Sequence, residues 1–179
     1  MAGLRRVLVL GALLALGTGS AVAQQQADGP AFDAALLERC LSGTERGDGP
    51  VDARETCIGA AADPCMDSQG GSTTVGMSAC LGNELDLWDA RLNETYREVM
   101  AQSEATDGNM AELGSAAEKE SPLLRDMQRN WIAFRDTACG FERSRWGGGT
   151  GGGPAGLHCA LTLTARQYLW LDQYRGKDM

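Results

Sequence analysis

The chain has 179 residues, one domain's worth, and a formal net charge of −8. A mainly negative surface repels phosphate rather than releasing its counterions, which excludes nucleic acid and anionic lipid surfaces as expected partners and leaves room for a basic protein. One histidine and no C-x-x-C pair leave no ligand set for a zinc centre, so no metal and no other cofactor is expected.

Arg5 and Arg6 precede the apolar run Val7 to Leu16, and small residues follow, ending Ala21-Val22-Ala23. This is the pattern of a cleavable secretory signal over residues 1–23. The run falls short of the roughly 20 apolar residues that a spanning helix needs, and no later stretch approaches that length, so a soluble exported protein without a membrane span is expected. No cysteine stands at the cleavage point to carry a lipid. Without Arg5 and Arg6 the remainder has 14 basic against 24 acidic side chains, a formal charge of −10. Gln24 to Ala31 is polar and aperiodic and reads as a disordered leader. Phe32 to Leu41 and Val51 to Ala62 read as a helical hairpin (residues 32–63), joined by the turn-rich Ser42 to Pro50 and stopped by Asp63-Pro64.

Residues 64–176 read as one helical domain. Hydroxyl residues near Thr74 suit an N-cap. Leu81, Leu85, Trp88, Leu92, Thr95 and Val99 then alternate steps of four and three, predicting a helix over Val75 to Gln102, with a break at Asp107-Gly108. Met110 to Glu120 is helix-prone but weakly apolar. Ser121-Pro122 reads as a cap followed by proline in the first turn, launching a helix whose stripe is Leu124, Met127, Trp131, Phe134, Ala138 and Phe141. Its aromatic content marks this helix as the expected centre of the core, and Trp88, Trp131 and Trp170 are assigned to that core. The glycine run from Gly147 to Gly153, closed by Pro154, reads as irregular, and a last helix is expected from Gly156 to Tyr174. The fold class is therefore all-α: a small disulfide-stapled bundle of two long helices, a C-terminal helix and an N-terminal hairpin.

Cys40, Cys57, Cys65, Cys80, Cys139 and Cys159 make an even set, which in an oxidising compartment reads as three disulfides. Six cysteines allow fifteen pairings and sequence does not choose among them. Nearest-neighbour pairing is the expectation: Cys40 with Cys57, Cys65 with Cys80, Cys139 with Cys159. Each bridge closes a short loop and contributes about 3 kcal/mol by restricting the unfolded chain.

Catalysis finds little support. His158 abuts Cys159, but a cysteine in a disulfide supplies no thiolate, and His158 reads as a surface residue at a helix start. Neither G-x-S-x-G nor H-E-x-x-H occurs, and the glycine run lacks the Lys-Ser/Thr of a phosphate loop. No catalytic residue is assigned.

Four short patterns occur in order: Ser78-Ala79-Cys80, Leu92-Asn93-x-x-Tyr96, Gln128-x-x-Trp131-x-x-Phe134-Arg135-Asp136-x-x-Cys139, and Cys159 with Leu163-Thr164-Ala165-Arg166 after it. Together they resemble the LprI-like lysozyme inhibitor family over Cys65 to Leu171. The resemblance implies an α-helical, disulfide-bonded periplasmic or secreted domain that blocks lysozyme, and the acidic charge also allows another basic envelope or host protein as partner. The motif residues Asn93, Tyr96, Gln128, Trp131, Phe134, Arg135, Asp136 and Arg166 are read as structural, with the pairs Asn93 and Tyr96, and Gln128 and Arg135, placed to hydrogen-bond a neighbouring helix. The expected partner-binding segment is Arg145 to Leu157, with Arg145, Trp146, Thr150 and Leu157 as candidates: a Cys139–Cys159 bridge would pin its base, and Trp146 is an anchor of the kind that dominates interfaces. An envelope structural or adaptor module that binds another protein or a glycan remains the alternative. Oligomeric state is not legible.

Overall fold

The computed structural model describes residues 29–44 and 53–176. The expected signal sequence, the expected leader up to Asp28 and most of the predicted turn at Ser42–Pro50 lie outside the described residues. Among the described residues there are five α-helices and no strand: α1 (Ala35–Gly43), α2 (Ala62–Asp67), α3 (Thr74–Glu112), α4 (Glu120–Ser144) and α5 (Gly152–Asp172). A short 3-10 helix at Ala53–Cys57 stands between the first two. The three disulfides are Cys40–Cys57, Cys65–Cys80 and Cys139–Cys159.

The three long helices run up, down and up. Asp107 of α3 meets Ser121 of α4, and Gln128 of α4 meets Gln167 of α5, so α4 is antiparallel to both. Trp88 of α3 meets Tyr168 of α5, and further along Glu98 pairs with Arg175 just past the end of α5, which makes α3 and α5 parallel. The centre of the core is the seam between these two helices, where Trp88, Leu92, Leu161, Leu169 and Leu171 are almost wholly buried. Trp88 and Tyr168 meet there at 5.6 Å between ring centroids. The expectation that α4 forms the centre is thus corrected. On α4 only Gln128 and Cys139 are buried, while Phe134 and Phe141 stand 60% and 63% exposed. Trp131 is half-buried against the core and Trp170 is exposed, so only Trp88 of the three assigned tryptophans lies inside. The cause is geometric: a seven-residue step on a 3.6-residue helix drifts by about 20°. Met127, Phe134 and Phe141 therefore slide progressively off the face that α5 covers.

Several boundaries also differ. The 3-10 helix and a turn replace the second hairpin helix, and Asp63-Pro64 opens α2 rather than closing its predecessor; in a first turn proline's missing N–H is no loss. α3 begins at a Thr73 cap, whose hydroxyl accepts from the Gly76 N–H at 3.0 Å, and continues through Asp107-Gly108 to Glu112. Gly76 allows the preceding loop to lie on this first turn, because a Cβ there would fall 2.0 Å from the Gly70 carbonyl oxygen. The cap of α4 is not Ser121 but the Asp107 carboxylate, which accepts from the backbone N–H groups of Glu120 (2.7 Å) and Ser121 (3.0 Å) and from the Ser121 hydroxyl (2.7 Å). These bonds, the serine hydroxyl's foremost, hold the Asp107 carboxyl below its ordinary pKa. α5 takes in Gly152, Gly153 and Pro154, four residues earlier than expected.

The N-terminal segment docks on this bundle through Leu37, which enters the core, and through two polar clamps. The first is Glu84 of α3, fully buried. Its Oε1 accepts from Gly59 N–H (2.7 Å) and the Trp88 indole (2.9 Å), and its Oε2 accepts from Ala61 N–H (2.8 Å) and Ala62 N–H (2.7 Å). The positive N-terminal end of α2 and this ring of donors balance a carboxylate that has been taken out of water. The second is Asp172 at the end of α5, buried between Arg54 (2.9 Å) and Arg175 (2.9 Å), with the Arg54 guanidinium 6.0 Å from the centre of the Tyr168 ring.

Candidate protein-binding site

The C-terminal half of α4, the turn that follows it and the first turns of α5 enclose an open groove of about 950 Å³. Its walls carry Phe134, Phe141 and Trp146, and its floor includes Met66, Met77 and Leu81. Three large aromatic side chains, each more than half exposed, on one contiguous surface are the kind of patch that marks an interaction site. The Cys139–Cys159 bridge ties α4 covalently to α5 beside the groove.

The turn is shaped by its glycines. Gly147 and Gly148 adopt φ values of +56° and +84°, which side chains resist, and Gly151 lies under the Trp146 ring. A Cβ on Gly151 would sit 2.2 Å from the indole Cζ3, so glycine there allows the ring to lie flat over the backbone. Arg145 faces the Glu142 carboxylate at 3.3 Å. Of the four sequence candidates, Arg145 and Trp146 line the groove. Thr150 is exposed in the turn, and Leu157 packs against the core. Phe134 and Phe141 join the surface although sequence reasoning gave one to the structural motif and both to the core; their position at the drifting end of an over-wide apolar stripe was the available signal. His158 also lines the groove and is exposed, with the neighbouring Cys159 sulfur committed to its bridge.

The other motif residues fall into two groups. Gln128 is buried and its side-chain carbonyl accepts from the Gln167 amide at 3.1 Å, linking α4 to α5. Arg135 stacks over Trp131 at 5.1 Å, bonds Asp136 at 2.9 Å and reaches toward Asp89 of α3 at 3.9 Å. Arg166 bonds Glu55 at 3.1 Å, tying α5 to the 3-10 helix, and Tyr96 packs against the core. Asn93 instead bonds Asp89 within its own helix at 2.7 Å and is exposed, so it joins no neighbouring helix. Among the described residues no cluster of three or more His, Cys, Asp and Glu side chains could hold a metal ion, and no helix is long and apolar enough to cross a membrane.

Residues 65–171 match the family described as lysozyme inhibitor LprI. A protein of Rhizobium meliloti (strain 1021), whose own function is uncharacterized, is 33% identical over 85 residues, 46% of this chain and 61% of the relative. The chain thus spans less than two thirds of the curated relative it matches. No solved structure gives a significant match. The matched segment runs from Cys65 in α2 to Leu171 in the last turn of α5 and includes both Cys65–Cys80 and Cys139–Cys159. On that evidence the chain belongs to the lysozyme inhibitor LprI family.

Proposed function

We propose that this protein binds lysozyme and blocks its substrate cleft, working as an exported protein-binding module that carries out no bond chemistry. The observation that carries this reading is membership of a lysozyme inhibitor family over residues 65–171. The net charge of −8 supports it, because an acidic inhibitor is steered toward a basic enzyme, and three disulfides accord with an oxidising extracytoplasmic space. The contact we assign is the aromatic groove: Trp146 and Phe141 anchor the partner while Arg145 and Thr150 stand at its rim. In this reading the pinned turn after α4 is the part that enters the cleft.

The test is lysis of bacterial cell walls by a c-type lysozyme with the disulfide-bonded protein in molar excess. Slowed lysis that is relieved by Trp146→Ala supports both activity and contact. Unslowed lysis at excess rejects the inhibitor reading for that lysozyme class. A stable envelope partner captured under the same conditions would then favour the adaptor alternative.

A further inference from the structure

We propose that the slot beyond the end of α5, between the tips of α3 and α4, is a second binding site and takes a cationic amphipathic helix. α5 stops at Asp172, but α3 continues to Glu112 and α4 begins at Glu120, so the two-helix tip has no third helix beside it among the described residues. At this place lies a groove of about 600 Å³, walled by Val99, Ser103, Thr106, Leu123 and Met127 and closed at its inner end by Trp170. Leu123 is 52% and Trp170 42% exposed, an apolar seam of the kind that a bundle covers with another helix. Val99 and Ser103 form the buried base of the slot, Gln173 and Tyr174 line its inner end, and along α4 its rim from Glu120 to Met127 is about 10 Å long, two turns of an occupant.

Charge selects the occupant. Between residues 94 and 126 there are eight carboxylates; Glu98, Glu104 and Asp126 pair with Arg175, Arg125 and Arg129, and Asp107 caps α4, while Glu120 lines the slot with Glu112 and Glu118 close to it in sequence, against Lys119. Around the aromatic groove at the other end, Asp63, Asp67 and Glu142 stand against Arg143 and Arg145, nearly in balance. An apolar stripe flanked by Lys and Arg meets both features of the slot, whereas a neutral or acidic helix would lack attraction or meet like charge at its rim. This proposal is independent of lysozyme inhibition, and a protein without effect on lysozyme could still satisfy it.

The experiment is fluorescence anisotropy of a labelled Leu/Lys peptide of about three helical turns, titrated with the disulfide-bonded protein at low and high salt. A scrambled peptide of equal charge is the control. Leu123→Lys should weaken binding about 10- to 100-fold, because a buried apolar contact becomes a repelling charge. Thr106→Arg should act in the same direction, Phe141→Ser should leave binding unchanged, and added salt should weaken it. Near-ultraviolet circular dichroism checks that each variant is folded. The proposal is overturned if the scrambled peptide binds equally well, if both slot variants bind like the original, or if Phe141→Ser is the change that abolishes binding. Self-association that Leu123→Lys disperses, without peptide capture, overturns it in favour of a second copy as occupant.

Discussion

Glu84 offers the sharpest test of how this fold is held. Four donors converge on its carboxylate, three of them backbone N–H groups of the segment that must dock on α3. In Glu84→Gln one oxygen remains and the other becomes an amide NH₂ facing N–H groups. Two donors then lose their acceptor at a fully buried position. Each orphaned donor costs about 1–3 kcal/mol, so the change should destabilise by about 2–6 kcal/mol. Against a total of about 5–15 kcal/mol for a typical domain, this is a large fraction. Glu84→Ala should cost more, since all four donors are orphaned and a cavity is added. Urea unfolding with the disulfides intact reads the effect as a lowered midpoint, and fluorescence of Trp88, whose indole donates to Glu84, follows the same site. A Glu84→Gln stability within about 0.5 kcal/mol of the original would refute the argument, because it would mean that these N–H groups find other acceptors without loss.

Four further outcomes are expected. Removing the Cys139–Cys159 bridge as a double serine variant should cost about 3 kcal/mol in thermal or urea unfolding, by freeing the loop in the unfolded chain. Gly151→Ala should push the Trp146 ring off the backbone and shift its emission, with little change in helical circular dichroism. Arg54→Met leaves the buried Asp172 carboxylate with less compensation and should destabilise by about 3 kcal/mol, read from the urea midpoint. The Asp107 cap should be pH-dependent: its folded pKa lies below the ordinary value, so its stabilisation is complete above about pH 4 and is lost as the pH falls through the folded pKa. Asp107→Asn should flatten that acid limb in a pH series of thermal melts.

The three long helices were legible because their apolar steps alternate three and four, and the short separations of the cysteines anticipated their pairing. What escaped was set by tertiary partners. Asp107-Gly108 has the local chemistry of a break, yet α4 offers the Asp107 carboxylate a helix end to cap, and the helix runs on. Gly152-Gly153-Pro154 is poor helix on propensity, but proline in a first turn is harmless and the Cys139–Cys159 bridge holds the chain on either side of it. The burial of Glu84 could not be read in advance, because sequence gives no sign that a loop 22 to 25 residues earlier aims its N–H groups there. The groove was half visible: Trp146 stood out beside its glycines, whereas Phe134 and Phe141 read as core until their drift around α4 was seen.

The order of the bridges along the chain has a consequence for how the molecule matures. Each cysteine is joined to its neighbour in sequence, at separations of 17, 15 and 20 residues, with no bridge enclosing or crossing another. A polypeptide delivered end-first into an oxidising space can therefore close every crosslink with the first free thiol that follows, without waiting for distant sequence and without reshuffling. Maturation should proceed in step with delivery and need little help from an isomerase.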